Sequence, residues 1–266
     1  MLRRASSAVL GSLLVLSSAA AAATAIDTIV GTAGADVLVG TDGPDTLVGR
    51  GGDDQLRGLD AEDILYGGPG EDRLTGGRGA DLAYGGTGGD VVTGGPGNDA
   101  LRGRPGVDNL FGGTGDDAMF GGNGTDFLEA GRGHDLLRGG RHSDNMAGGY
   151  GDDKVYGGGG DDSLTDTDIW SPGPGRPPDL TVPGDRDVLR GGAGDDMLGP
   201  QSGPDRVFAG EGDDDVHVLG DDDAVDRISC GDGEDVVRYF FGLDPDDVVA
   251  DDCERVVVES DPAAPR

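Results

Sequence analysis

Aspartate recurs at every ninth residue of this chain, in fifteen consecutive units that run from Gly31 to Thr165 without insertion or deletion. When Gly31 is taken as position one of the first unit, position six is aspartate in every unit. These residues are Asp36, Asp45, Asp54, Asp63, Asp72, Asp81, Asp90, Asp99, Asp108, Asp117, Asp126, Asp135, Asp144, Asp153 and Asp162. Regularly spaced carboxylates are suited to hard cations, and calcium accepts six to eight oxygen ligands in irregular geometry.

The rest of each unit predicts a tight turn followed by a short strand. Position one is glycine except at Ala130, and position four is glycine except at Ala61 and His142. Glycine permits left-handed backbone angles and close approach of neighbouring chains. Position eight is apolar in all fifteen units, so we expect this side chain to face inward from a strand.

One nine-residue unit cannot bury a core alone, so the period predicts a solenoid in which each repeat contacts its neighbours. Two units would form one coil with a strand on each side, and stacked coils would pair their strands in parallel. Carboxylates of alternate units would then lie about 4.8 Å apart. Their mutual repulsion would require a cation between them. Magnesium prefers tighter octahedral geometry and fits such turns less well.

The units Gly112–Phe120 and Gly148–Tyr156 match the pattern Gly-Gly-x-Gly-x-Asp-x-apolar-x throughout. This pattern resembles the nonapeptide of the RTX, or haemolysin-type, calcium-binding family. The resemblance implies an all-β fold, a right-handed parallel β-roll with a C-terminal cap. It also implies that the fifteen aspartates and the turn carbonyls bind multiple Ca²⁺ ions.

Several units depart from the pattern. Position two lacks glycine at five residues, which are Thr32, Thr41, Arg50, Leu59 and Arg104. Four of these five residues lie in the first four units, so we expect weak calcium binding there, and His142 puts one central turn in doubt. Counting gaps between stacked units predicts roughly eight to thirteen ions, with dissociation constants of about 10⁻⁴ to 10⁻³ M.

The chain after the fifteen units divides into three predicted segments. Residues 166–181 form a Pro-rich loop in which Trp170 either anchors the loop or recognises a partner. Residues 182–238 continue the roll less regularly, and residues 239–266 form the cap and tail. After a shift of three residues in the repeat, Asp226 and Asp235 also fall at position six. The continued roll adds four expected metal ligands. The four ligands are Asp187, Asp196, Asp205 and Asp214.

Residues 1–25 have the features of a secretory signal peptide, with Arg3 and Arg4 before a short apolar stretch and small residues before Ile26. A transmembrane anchor is the alternative, although the apolar run is short. We therefore expect a secreted, extracellular protein without a stable membrane span. In that compartment Cys230 and Cys253 would form a disulfide; two free buried thiols are the alternative.

The chain contains 52 acidic and 20 basic residues, a composition that favours disorder in the absence of cations. We find no catalytic motif, and His134, His142 and His217 are not at metal-pair spacing. We therefore expect no enzyme, no nucleic-acid partner and a structural or interaction role based on calcium binding. A surface adhesin or a carbohydrate-active module on the same scaffold is the alternative. A cell-surface or extracellular partner is compatible with this role, and no sequence motif specifies which one.

Overall fold

The computed structural model describes residues 13–15, 26–166, 185–201, 203–218, 224–240 and 242–259, and the regular structure in these ranges is entirely β. The strands form two parallel sheets. The odd-numbered sheet contains β1 (Leu13–Val15), β3 (Val37–Val39), β5 (Gln55–Asp60), β7 (Arg73–Arg78), β9 (Val91–Pro96), β11 (Asn109–Thr114), β13 (Phe127–Arg132), β15 (Asn145–Tyr150), β17 (Ser163–Thr165), β19 (Met197–Gly199), β21 (Asp215–Val218), β23 (Val236–Phe240) and β25 (Arg255–Glu259). The even-numbered sheet contains β2 (Asp27–Val30), β4 (Asp45–Val48), β6 (Ile64–Pro69), β8 (Leu82–Thr87), β10 (Ala100–Pro105), β12 (Ala118–Asn123), β14 (Leu136–Arg141), β16 (Lys154–Gly159), β18 (Val188–Ala193), β20 (Arg206–Glu211), β22 (Arg227–Asp232) and β24 (Val248–Val249).

Consecutive strands alternate between the two sheets, so two nine-residue units make one coil, as the sequence predicts. Leu56 pairs with Leu74, and Met119 pairs with Leu137, each eighteen residues further along the chain. The all-β solenoid expected from the repeat is confirmed. Within the described ranges, no helix long and apolar enough to cross a membrane is present.

The position-eight side chains form a thin core between the sheets, which confirms their predicted inward orientation. All are essentially inaccessible to solvent, and the same position supplies Leu189, Leu198, Val207, Val216, Ile228 and Val237 after the fifteenth unit. Positions seven and nine flank each core residue and are half-buried or exposed, with the exception of the buried Ala147. Most strands therefore contribute one side chain to the core, and a second one is added at Ala130, Ala209, Val218, Cys230 and Tyr239.

Most turns keep their left-handed backbone even where glycine is missing. Arg50, Leu59, Ala61, Arg104 and His142 all have φ between 75° and 97°. They are five of the seven non-glycine residues at positions two and four, and the other two, Thr32 and Thr41, are not in the left-handed region. A left-handed angle costs an ordinary residue about 1–2 kcal/mol, so the stacking of neighbouring coils determines this backbone more strongly than local preference does.

The roll continues to the end of the described chain. β24 pairs with β22, and β25 pairs with β23, so residues 242–259 form the last coil. Cys230 and Cys253 form a disulfide with a Cα–Cα distance of 5.1 Å, as expected.

Two predicted segments lie largely outside the described residues. The Pro-rich loop is described only at Asp166, and Trp170 is not included. Of the predicted signal peptide, only β1 is described, and its backbone pairs with β3.

Candidate metal centre

The position-six aspartates form two columns, one along each edge of the roll, in which each residue is hydrogen-bonded to the next. The backbone N–H of Asp54 donates to Oδ1 of Asp72 at 2.8 Å, and the same bond recurs between aspartates of alternate units. Nineteen bonds of this kind, 2.6–2.9 Å long, run from Asp36 to Asp235. All nineteen predicted ligands lie in these columns, and each is at most 3% exposed.

The second carboxylate oxygen has no such partner. In every position-six aspartate from Asp54 to Asp162, Oδ2 is buried and accepts no hydrogen bond from the described residues. At Asp126, this oxygen lies against Gly121, beside the carbonyl oxygen of Gly139, which would be 2.8 Å from a β-carbon built on Gly121. Two acceptors thus converge without a donor between them. A buried oxygen of this kind is costly unless a proton or a cation satisfies it.

The first two units differ from the others at this point. Thr32 donates to Asp36 Oδ2 from its backbone N–H at 2.5 Å and from its hydroxyl at 2.9 Å. Thr41 makes the same two bonds to Asp45 Oδ2, at 2.6 and 3.1 Å. Protein donors therefore satisfy the oxygen that is unpartnered in later units. This geometry supports the expectation that the first turns are poor calcium sites.

Burial raises the pKa values of the position-six carboxyls from Asp54 to Asp162. For Asp117 the pKa is raised to about 8 by burial and by the neighbouring carboxylates Asp99 and Asp135, although the N–H bond from Asp99 lowers it. For Asp153 the pKa is raised to about 9 by burial and by the neighbouring carboxylates of Asp135, Asp187 and Asp185. Negative charge in these columns therefore requires compensation, which a hard divalent cation would supply.

Three buried carboxylates meet beside the point where the regular repeats end. Oxygen atoms of Asp166, Asp187 and Asp205 all lie within 4.8 Å of one another. Gln201 donates its N–H to Asp166 Oδ2 at 2.7 Å, whereas Asp166 Oδ1 and Asp205 Oδ2 accept no bond from described residues. Burial, followed by the charge of Asp166, raises the pKa of Asp205 to about 10. Asp166 occupies the position-one place of glycine, and it is not among the ligands predicted from the sequence.

The columns extend beyond the predicted ligands at the C-terminal end. The N–H of Asp226 donates to Asp247 Oδ1 at 2.8 Å, and the N–H of Asp235 donates to Glu254 Oε2 at 2.9 Å. Asp247 and Glu254 were not predicted as site residues. Both are followed two residues later by valine, which is the position-six to position-eight spacing of the repeat, and this signal could have identified them.

The three histidines lie outside the aspartate columns. His134 Nδ1 accepts the N–H of Asp152, His142 Nδ1 lies 2.8 Å from the carbonyl oxygen of Arg141, and His217 lies beside Asp215. Among the described residues, the acidic columns therefore provide oxygen ligands and no nitrogen or sulfur. Such a ligand set fits calcium better than zinc or copper.

Comparison with known families identifies the same repeat. The RTX calcium-binding nonapeptide repeat (4 copies) matches overlapping segments that together cover residues 23–165, and it matches residues 184–198 and 201–225 as well. These matches include more than half of the chain. No curated protein matches the sequence.

Proposed function

Because the chain belongs to the RTX calcium-binding nonapeptide-repeat family, we propose that it is a secreted protein in which a ladder of calcium ions drives folding. Its role would be to provide structure or to bind a partner, without catalysis. The observation that carries this proposal is the row of buried, unpartnered Oδ2 atoms, several of which lie beside a backbone carbonyl of the neighbouring coil. Calcium would satisfy these acceptors and neutralise the carboxylates in one step.

The residues that would hold calcium begin at Asp54, because donors from Thr32 and Thr41 occupy Oδ2 of the first two aspartates. Position-six carboxylates and the turn carbonyls would supply the ligands. The core contributes one apolar side chain per unit, and the formal charge of the chain is −32. Metal-binding free energy therefore becomes folding free energy.

Circular dichroism at increasing calcium concentration would test the proposal. We expect a disordered spectrum in chelator and a cooperative gain of β signal at about millimolar calcium. Sodium chloride at matched ionic strength is the control for screening, and magnesium is the control for ion size. A chelated protein with full β signal, or two or fewer bound ions by elemental analysis, would contradict the proposal.

The proposed secretion is supported by the sequence of residues 1–25 and is tested separately. Mass spectrometry of the protein recovered from the culture medium should give a mature N-terminus near Ile26. A chain retained in the cells with its N-terminus intact would contradict secretion and would leave the calcium proposal standing.

A further inference from the structure

The outer face of the even-numbered sheet carries a row in which arginine and aromatic side chains alternate. Position-nine residues of β10 to β20 are direct partners across neighbouring strands. This aromatic–arginine row consists of Arg102, Phe120, Arg138, Tyr156, Arg190 and Phe208. Neighbouring strands are about 4.8 Å apart, so successive arginines lie about 10 Å apart along a straight line.

The aromatic rings support the arginines from the side. Arg102 Cζ lies 5.0 Å from the ring centre of Phe120 and 5.7 Å from that of Tyr84. Arg138 Cζ lies 5.4 Å from the ring of Tyr156, and Arg190 Cζ lies 4.3 Å from that of Phe208. Stacking occupies the flat face of a guanidinium and leaves its N–H edge free to bind a carboxylate or sulfate bidentately.

Within the described part of the chain, these arginines form no ion pair with an acidic residue. The ion pairs found there involve Asp215 and its neighbours His217 and Arg238. The two outward positions of the even-numbered strands from Ile64 to Ser229 contain no acidic residue. They contain six basic residues, which are Arg102, Arg138, Lys154, Arg190, Arg206 and Arg227. The same positions of the odd-numbered sheet include Glu129 and Asp215. A chain with 52 acidic residues thus presents one face that is cationic.

A depression of about 420 Å³ lies at one end of this face, where β18, β20 and β22 are neighbours. Its lining consists of Arg186, Arg206 and Arg227, together with Val188, Pro204 and one acidic residue, the buried Asp187. Three guanidinium groups around one depression favour an anion. The depression therefore extends the cationic surface of the row toward the C-terminal coils.

We propose that the outer face of the even-numbered sheet binds a linear acidic polysaccharide through carboxylate or sulfate groups. The row is continuous from strand to strand and one residue wide, which suits a single extended polymer. Half-buried apolar side chains at position seven, including Ala118, Leu136 and Val188, lie beside the row and suit the C–H faces of sugar rings.

Other polyanions fit the charges of the molecule less well. Double-stranded DNA carries one negative charge per about 1.7 Å, and the acidic turns on both sides of the face would repel it. An anionic bilayer is a broad surface, so it would meet the acidic turns as well as the narrow row of arginines. A polysaccharide has fewer charges per length, and it touches only the face that carries the arginines.

Calorimetry with the full-length chain in calcium would test this proposal, which rests on calcium-dependent folding of the roll. The probes are a short galacturonic acid oligomer, a sulfated oligosaccharide of similar length, and the galacturonic acid oligomer after reduction of its carboxyl groups. The two anionic probes distinguish carboxylate from sulfate recognition. We expect binding of at least one anionic probe and no binding of the reduced oligomer.

Two triple variants with the same change in charge provide the comparison. Arg102→Gln, Arg138→Gln and Arg190→Gln together should weaken binding by at least about tenfold. Arg57→Gln, Arg73→Gln and Arg255→Gln together alter the odd-numbered sheet and should change the dissociation constant by less than about twofold. Equal losses in both variants would show that only net charge matters and would overturn the proposal.

A measurement on the unmodified chain covers the case in which a variant fails to fold. Reaction of arginines with phenylglyoxal, followed by mass spectrometry, should show that the bound oligomer protects Arg102, Arg138 and Arg190 but not Arg57 or Arg73. Circular dichroism in calcium separates a folding failure from a binding failure. Absence of binding to both anionic oligomers by a folded chain would overturn the proposal. Tighter binding to a DNA oligonucleotide or to anionic vesicles, or a row-dependent dimer in sedimentation, would overturn it as well.

Discussion

Oδ1 of Asp187 accepts a hydrogen bond of 2.6 Å from the backbone N–H of Asp153, although thirty-four residues separate them. The corresponding bond between Asp54 and Asp72 spans eighteen residues. The aspartate column therefore keeps its register across the sixteen extra residues. Lengthening a connection costs little entropy, so the stacked coils on either side of the insertion determine the geometry.

Deletion of residues 167–182 restores the eighteen-residue spacing between Asp153 and Asp187. We expect the shortened chain to fold with an unchanged calcium midpoint, because the coils on both sides stack as before. A calcium titration followed by circular dichroism compares it with the parent chain. Loss of cooperative folding would show that the insertion itself holds the roll together.

Replacement of Asp117 by alanine should weaken calcium binding locally while the rest of the roll still folds. It removes a buried carboxylate whose Oδ1 is bonded to Asp99 and whose Oδ2 has no partner. Contacts in the roll are between nearest neighbours, so the damage stays local. Asp116→Ala is the control, since that carboxylate is exposed. Elemental analysis should show fewer bound ions for Asp117→Ala only, and equal stoichiometry in both variants would contradict the assignment.

Replacement of Leu128 by aspartate should abolish cooperative folding. Leu128 is fully buried in the core, away from the acidic columns. An unpaired charge there, added to the loss of the leucine side chain, should cost more than about 4 kcal/mol. Leu136→Asp is the matched control, because Leu136 faces outward and is half-buried. Similar unfolding free energies for these two variants would show that position eight is not the core.

Without calcium, acid should stabilise the roll. The raised pKa values of Asp117 and Asp153, about 8 and 9, mean that the folded calcium-free chain binds more protons than the unfolded chain. The unfolding free energy should therefore be highest below about pH 4 and should fall as pH rises toward about 9. Calcium-free protein examined by circular dichroism should show more β signal at pH 5 than at pH 8. The opposite order would contradict the burial of uncompensated carboxyls.

Replacing both Thr32 and Thr41 with glycine should improve calcium binding in the first coils. Each threonine now satisfies Oδ2 of its own aspartate, and glycine would remove the hydroxyl donor. Glycine also permits the left-handed angle found at position two elsewhere. Elemental analysis should detect additional bound calcium relative to the parent chain. Thr114→Gly, at an exposed position-three residue, serves as the control and should leave the stoichiometry unchanged.

Replacement of Asp166 by asparagine should act in opposite directions with and without calcium. The variant replaces one of the three buried carboxyls that meet at Asp187 and Asp205 with a neutral amide. Without calcium, the loss of a buried carboxyl should raise the unfolding free energy; with calcium, the loss of a charged ligand should weaken one binding step by about tenfold. Denaturant unfolding and calcium titration measure the two effects. A shift of the same sign in both experiments would exclude a cation site at these three residues.

The nine-residue period by itself determined the turns, the short strands, the inward side chains and the aspartate columns. Leu128 and Asp117 could be assigned from their positions in the unit, because every unit places the same position in the same environment. The period also accounts for the left-handed angles at Arg50 and His142, since neighbouring coils impose them.

Only the tertiary structure brought together residues whose relationship depends on which units become neighbours. Asp166 meets Asp187 and Asp205 because the roll resumes in register after an insertion whose length the period does not specify. Tyr156 and Arg190 lie side by side for the same reason. Each coil contains two units, so alternate units stack on one another. The nine-residue pattern alone does not show which units contribute to which of the two outer faces. The physical cause is that strand pairing, rather than sequence order, selects neighbours in a solenoid.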